Sequence, residues 1–510
     1  MLKILPVEKI READAFTIKN EPIASVDLME RAAKQCFQWF MERNPHDKTA
    51  IIFCGPGNNG GDGLALSRML ARVGINTTTV VLRSSSIGSH DFTENLRRLQ
   101  ETPGSNLIEC DSSDKLPHIL PDNLVVDAIF GSGLTKPITG IFASAVEHIN
   151  KSGAVVISID IPSGLFADSI PKSSKEAIIK ADSTLTFQMP KLSFLFSESE
   201  VYTGRWIVLP IGLHNDFISS AQTRYSMIEA DDIRQILKYR SKYAHKGHFG
   251  HALLVAGSYG KMGAALLASR ACIRSGAGLL TVRIPASGYD ILQTGCPEAM
   301  VTTAEHQHVI SGQINHGQNN AIAIGPGIGT ASETATALKL LIQSAKNPLI
   351  LDADALNILS ENKTWIRFLP PGCILTPHPR EFERLTKKCS DSFEQHLIQI
   401  EFSVRHKVYV ILKGAYTSIT TPDGSCMFNS TGNPGMATGG SGDVLTGILL
   451  GLNARGYGSF QTCIAGVFLH GMAGDLAAAE KGEESLVAGD IIDYLPKAFL
   501  KLYDDNSLRK

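Results

Sequence analysis

The chain has 510 residues, too many for one hydrophobic core, so two or more domains are expected. Its 43% hydrophobic and 19% charged content is ordinary for a globular enzyme, and a net charge of −2 argues against nucleic acid or an anionic membrane as partner. Nine scattered cysteines with no Cys-x-x-Cys pair fit a reducing cytoplasm and buried thiols better than a disulfide framework.

Residues 1–14 mix charge with apolar positions and read as an amphipathic helix, not a signal peptide. No apolar run reads as long enough to cross a bilayer. Residues 49–54 form a short apolar strand that ends in glycines, followed by helical spacing over 64–73. A strand at 77–82 and a helix at 92–99 come next, then strands at 124–130, 154–161, 184–187 and 206–209. Alternation of strand and helix implies a parallel sheet covered on both faces. The pattern breaks between 214 and 246, and domains 1–215 and 216–510 are expected. A second α/β series follows: a strand at 252–256, a helix at 262–275, and strands at 279–284, 321–324, 349–351, 373–375 and 408–412.

In the first series, Gly55-Pro56-Gly57-Asn58-Asn59-Gly60-Gly61-Asp62-Gly63 joins strand to helix. Ligands of open α/β sheets bind outside the carboxyl ends of the strands, and glycines there let backbone approach a phosphate. The loop has neither the dinucleotide fingerprint nor a Walker lysine, and a tight capped turn is the alternative. Asp127 leads to a polar turn, Gly131-Ser132-Gly133-Leu134-Thr135-Lys136-Pro137, and Asp160 leads to Pro162-Ser163-Gly164. Asn, Asp and Ser oxygens at strand ends suit a weakly charged hard cation, or an empty polar pocket.

In the second series the most informative stretch runs over 432–447, where a glycine-dense segment meets Asp443 and then turns apolar like a helix. Backbone N–H groups and a helix N-terminus make an anion hole. A carboxylate at its mouth suits a general base on a hydroxyl that attacks a phosphoryl group; a helix-capping Asp in a structural turn is the alternative. Lys413-Gly414-Ala415-Tyr416-Thr417 follows a strand and suits a nucleotide phosphate or ribose. His378 sits between two prolines in 376–381, rigidly presented or merely starting a helix. Asp352 and Asp354 are candidates for a Mg²⁺–phosphate network, or loop acids. His245, His248 and His251 lack a completing carboxylate or Cys, which argues against a metal site.

These two motif sets resemble the NAD(P)H-hydrate repair family. Residues 376–381, 413–417 and 432–447 look like its ribokinase-like dehydratase, and residues 58–62, 127, 131–137 and 160–163 look like its epimerase. The order matches the fused bifunctional enzymes over nearly the whole chain, with Tyr416 and the Ser132 loop as mild variations. The resemblance implies an N-terminal Rossmann-like α/β/α domain and a C-terminal ribokinase-like α/β domain. It implies that NADHX and NADPHX are epimerised between R and S forms, and that the S form is dehydrated with ADP as co-substrate and Mg²⁺ present.

By the same resemblance, Asp443 is the base, while Lys413, Gly414, Ala415, Tyr416, Thr417 and Gly442 hold the nucleotide. Ala264, Gly327, His378 and Asp443 would meet the hydrate in the dehydratase. Asn58, Asn59, Gly60, Gly61, Asp62, Gly131, Ser132, Gly133, Leu134, Thr135, Lys136, Pro137 and Asp160 would meet it in the epimerase. Asn59, Asp127 and Ser163 would hold K⁺, and Asp160 would handle the proton. A cytoplasmic homo-oligomer, with no nucleic-acid or membrane partner, is expected. A small-molecule kinase with an accessory domain is the competing reading, and a nucleotide-sensing binding protein is another.

Overall fold

A computed structural model of the chain describes residues 1–43, 48–83, 88–173, 176–317 and 319–503. The chain divides into two compact units, Lys3–Thr223 and Arg224–Lys510, the second also taking Met1–Leu2.

The N-terminal unit is built on seven parallel strands. In spatial order they are Asn106–Cys110, Thr77–Leu82, Ala50–Cys54, Leu124–Ala128, Val155–Ile159, Ser183–Phe187 and Arg205–Leu209. The first strand of the alternating series lies third in the sheet. Successive strands add outward on one side and then on the other, which opens a crevice at the reversal point between Ala50–Cys54 and Leu124–Ala128. Ala50–Cys54 is buried throughout because both faces are covered. Ile52 and Cys54 pack with the helices Ser25–Met41, Asn58–Arg72 and His90–Gln100, and Ile51 and Phe53 pack with Gly140–Lys151 on the other face. That two-residue alternation of a continuous apolar run produces the three layers.

The C-terminal unit repeats the logic with a larger sheet. Its order is Tyr225–Ile228, Cys426–Asn429, Ser418–Thr420, Tyr409–Leu412, Ile374–Leu375, Leu349–Leu351, Ala321–Ile324, His251–Val255, Leu279–Ile284 and Met300–Thr303. The strands from Tyr409–Leu412 through Met300–Thr303 are parallel; Ser418–Thr420 is antiparallel to both its neighbours. Register pairs Ile324 with Leu351, Leu351 with Leu375 and Leu375 with Val410, so the turns that follow these strands share one edge. Ala252 and Leu254 face a core shared with the helices Met262–Arg274, Ser441–Ala454, Ser459–Lys481 and Ala488–Tyr503. Leu253 and Val255 face the opposite core, which includes Ser332–Ser344 and Ala353–Glu361.

Both units carry the largely parallel, two-sided sheets that the alternation predicts. Several local expectations are corrected. The helix expected at 64–73 begins at Asn58, so Asn58, Asn59, Gly60, Gly61, Asp62 and Gly63 form its opening turns rather than a free loop. The interval 214–246 contains a strand, Tyr225–Ile228, and a helix, Ala230–Ile236. Among the described residues one helix, Ser459–Lys481, is long and apolar enough to cross a membrane by length and composition, against the sequence expectation; 67% of its apolar window is buried inside the unit, as in a core helix. Eight of the nine cysteines are buried and Cys389 is half-buried.

Candidate active sites

In the N-terminal unit the reversal point is held open by close backbone packing. A Cβ on Gly55 would overlap the Ile129 carbonyl oxygen, and one on Gly60 would overlap the Gly55 carbonyl oxygen. Only glycine allows these turns to touch. The helix Asn58–Arg72 consequently starts directly at the crevice, with Asn58 exposed and Asn59 buried behind it. A Cβ on Gly131 would sit 3.3 Å from both the Asn59 side chain and Asp160 Oδ2, so helix start and strand-end turns converge. Gly133, Thr135, Lys136 and Pro137 are exposed beyond it, Gly133 accepting from Arg11 at 3.2 Å, while Leu134 packs on the core.

Asp127 is fully buried in the strand Leu124–Ala128, in register with Ser158. It accepts from the Ser158 hydroxyl at 2.7 Å, the Ser163 hydroxyl and N–H at 2.5 and 2.8 Å, and the Ile129 N–H at 3.2 Å. Burial pushes its carboxyl above the usual range, against the pull of those donors. Asn59 is also buried, and neither its amide oxygen nor its nitrogen has a partner. A buried acid served only by neutral donors, and a buried amide with no partner, are hard oxygen donors of the kind that suit a weakly charged cation.

Asp160 ends its strand at φ 65°, a strained conformation that Asp tolerates better than most residues. One oxygen is 2.8 Å from Lys191 Nζ and the other accepts the Ser132 N–H at 3.0 Å. Burial pushes this carboxyl up, but Lys191 and Ser132 outweigh it and hold it below the ordinary range. Asp14 and Asp62 respond oppositely: burial first, then the Asp160 charge, raises Asp14 to about 7 and Asp62 well above normal. One carboxylate thus stays ionised among acids that favour their protons. Lys191 and Asp14 were not singled out in the sequence. Lys191 is a lone cation in the apolar stretch 187–196, and its side chain is 1% exposed.

In the C-terminal unit, Gly440 begins the helix Ser441–Ala454 at φ 90°, and a Cβ there would crowd Leu267. The first turn carries Gly442 and Asp443. A Cβ on Gly442 would lie 3.3 Å from Lys413 Nζ and 3.9 Å from Asp352 Oδ2. Lys413 pairs with Asp352 at 3.0 Å and approaches Glu381 at 4.0 Å, while Thr446 donates to the other Asp352 oxygen at 2.7 Å. Burial alone would lower the Lys413 ammonium, but Asp352 and Glu381 raise it. Asp443 is pushed up to about 7 by burial and by Asp352, with Lys413 opposing.

Asp352 accepts from Lys413 on one oxygen and from Thr446 on the other, which fixes the carboxylate between the lysine loop and the helix Ser441–Ala454. Asp354 accepts the Gly329 N–H at 2.8 Å and faces Lys261 at 3.3 Å. His378 caps the helix Pro379–Leu385 through Nδ1 and pairs with Glu381 through Nε2 at 3.5 Å. Burial lowers its imidazole. The Lys413 N–H donates to the Pro377 carbonyl, which puts Gly414, Ala415, Tyr416 and Thr417 beside His378; Thr417 Oγ closes that loop onto Gly414. Gly327, at φ 63°, meets Ala264: a Cβ there would lie 3.1 Å from the Ala264 Cβ. The start of the helix Met262–Arg274 and the turn after Ala321–Ile324 therefore bring Ala264 and Gly327 together, while the start of Ser441–Ala454 brings Gly442 against Lys413, whose own N–H ties it to the turn that carries His378. His470 was missed by sequence reading; it lies under the same helix start, 3.0 Å from the Ser441 carbonyl.

A Thermofilum pendens protein named bifunctional NAD(P)H-hydrate repair enzyme is 33% identical, covering 99% of this chain and 97% of its own. The chain belongs to the bifunctional NAD(P)H-hydrate repair enzyme family. An Escherichia coli protein of the same name is 30% identical over 94% of this chain and 92% of its own. The family model described as NAD(P)H-hydrate dehydratase matches residues 252–497, and that described as YjeF-related protein N-terminus matches residues 25–193. The Bacillus subtilis ADP/ATP-dependent NAD(P)H-hydrate dehydratase, co-crystallised with ATP and Mg²⁺, is 30% identical, covers 54% of this chain and 98% of its own, and superposes with a TM-score of 0.47.

Proposed function

We propose that this chain repairs hydrated NADH and NADPH: its N-terminal unit interconverts the R and S hydrates, and its C-terminal unit returns the S hydrate to the reduced nucleotide with ADP as phosphoryl donor. The observation that carries the reading is Asp443. It is a half-buried carboxylate in the first turn of a glycine-started helix, raised to about 7 and next to the Lys413–Asp352 pair. A base with that affinity matches a neutral operating pH.

Asp443 takes the proton of the substrate hydroxyl. The hydroxyl oxygen attacks the β-phosphorus of ADP, releasing AMP, while N–H groups of residues 440–442 stabilise the migrating phosphoryl. The ring nitrogen's lone pair expels phosphate, and loss of a proton from the neighbouring ring carbon restores the double bond. Lys413 to Thr417 and Gly442 hold the nucleotide; Ala264, Gly327 and His378 hold the hydrate. Mg²⁺, entering with the nucleotide's phosphates, would neutralise part of their charge.

In the epimerase, Asn58 to Asp62 and the turn 131–137 hold the substrate's phosphates. Asp160, kept ionised by Lys191, handles the proton at the reacting ring. K⁺ at Asn59, Asp127 and Ser163 would supply a fixed positive charge beside these groups. Unpaired cysteines, eight of nine buried, support a reducing, cytoplasmic location.

The test is to incubate the protein with mixed NADH hydrates and follow absorbance of the reduced ring with ADP, with ATP and with neither. Recovery of the whole mixture with ADP is expected. Recovery of only the S fraction removes the epimerase, and a stable phosphate ester in place of the reduced ring removes the dehydratase.

A further inference from the structure

The strand His251–Val255 ends in Gly257-Ser258-Tyr259-Gly260, a turn that no role above uses. Tyr259 is 71% exposed, yet it is not loose. Its N–H donates to the His308 carbonyl at 2.9 Å, and its ring packs edge-on against the His308 ring at 4.6 Å. The Ser258 hydroxyl donates to the Gly327 carbonyl at 2.7 Å, and the Gly257 N–H to the Pro326 carbonyl at 2.8 Å. These bonds fix the turn to the glycine that meets Ala264. His308 is fixed in its turn, its N–H donating to His306 Nδ1 at 3.1 Å. The Tyr259 ring is thus an aromatic face in water held in one orientation next to the Ala264–Gly327 contact, the geometry in which a planar base stacks well.

Sheet order says which partner. Tyr409–Leu412, which carries the Lys413 loop, is four strands from His251–Val255, roughly 19 Å at the usual strand spacing. Asp443 acts near Asp352, at the end of the strand between them. The nucleotide donor occupies one side of that carboxylate, and the substrate must extend toward the other. A dinucleotide has a second aromatic ring, adenine, on that side. The geometry points to Tyr259 as the shelf on which the adenine end of the dinucleotide hydrate stacks, supported edge-on by His308. This rests on the dehydratase reading of the Asp443 site.

The experiment compares wild type, Tyr259→Ala, Tyr259→Phe and His308→Ala with two substrates, the S hydrates of NADH and of reduced nicotinamide mononucleotide, the latter lacking adenosine. Tyr259→Ala is expected to raise KM for the dinucleotide roughly 5- to 100-fold, the effect of one lost aromatic–base stack. Its KM for the mononucleotide and for ADP should match wild type, Tyr259→Phe should restore the dinucleotide KM within about twofold, and His308→Ala should fall between. Equal effects on both substrates, no effect on either, or a rise in the ADP KM instead overturns the assignment. NADPH binding, read from the fluorescence of its reduced ring, is titrated against the same variants. If wild type fails to dehydrate any hydrate, the dehydratase reading fails, while weaker NADPH binding by Tyr259→Ala still supports the shelf and unchanged binding removes it.

Discussion

Replacing Asp443 by Asn separates two consequences of one buried charge. The carboxyl rises from 3.8 to about 7 in the folded protein, roughly three units, mainly through burial and then through Asp352. At about 1.4 kcal/mol per unit, ionising it costs the fold at most ~4 kcal/mol; because the side chain stays partly open to solvent, about 2 kcal/mol is the working figure. The sign follows from an acid whose folded affinity for its proton exceeds its unfolded one. The stabilisation is present below about pH 4 and is lost as pH climbs through 7. Asn carries no charge at either end of that window. Free of any such cost, the variant should therefore gain about 2 kcal/mol on wild type between pH 4.5 and pH 8, measured as unfolding free energy without nucleotide. Dehydration should fall by roughly 10²–10⁴ at the same time, with ADP binding largely kept. A stability gap that does not change with pH would mean that Asp443 ionises without cost, and the argument for a base poised near neutrality would fall. A rate loss below tenfold would remove it from the chemistry.

Four further outcomes follow from the geometry. Asp160→Asn should abolish R/S exchange and spare dehydration of pure S hydrate; a joint loss would refute separate sites. Lys191→Met should move the acid limb of the epimerisation pH profile upward by about one unit or more, because the ammonium 2.8 Å away is what holds Asp160 below its usual range; an unmoved limb would leave Lys191 a structural role only. Exchanging K⁺ for Li⁺ should slow epimerisation without touching dehydration, and an unaffected rate counts against the Asn59, Asp127 and Ser163 assignment. Gly60→Ala drives a methyl into the Gly55 carbonyl and should destabilise the N-terminal unit by about 1–3 kcal/mol or more, read by proteolysis, while dehydratase activity persists.

What the sequence displayed and what it hid divide along physical lines. The run 432–447 was legible because a glycine series meeting an acid and then a helix is visible without tertiary contacts. The central strands were legible because burial on both faces makes them continuously apolar. Asn106–Cys110 and Met300–Thr303 were not, since they lie at sheet edges with much of their surface exposed. The start of the helix at Asn58 was hidden by helix propensity: Gly60, Gly61 and Gly63 argue against a helix locally, and it is the close approach of Gly55 to Gly60, of Met29 to Gly61, and of Ala128 and Cys54 to Gly63 that explains their presence. Asp352 read as a phosphate-network acid or a loop acid; its bonds to Lys413 and Thr446 were hidden because those residues lie 61 and 94 positions away. Lys191 left a trace, a cation in an apolar run, but its partner belonged to another strand.

The distribution of sulfur has a practical consequence. With eight thiols sealed in the interior and Cys389 alone keeping some accessible surface, a maleimide dye applied to the native protein should mark one position and leave both catalytic centres untouched. Each additional equivalent taken up then times the loosening of a core, so this chain carries its own clock for the opening of either unit.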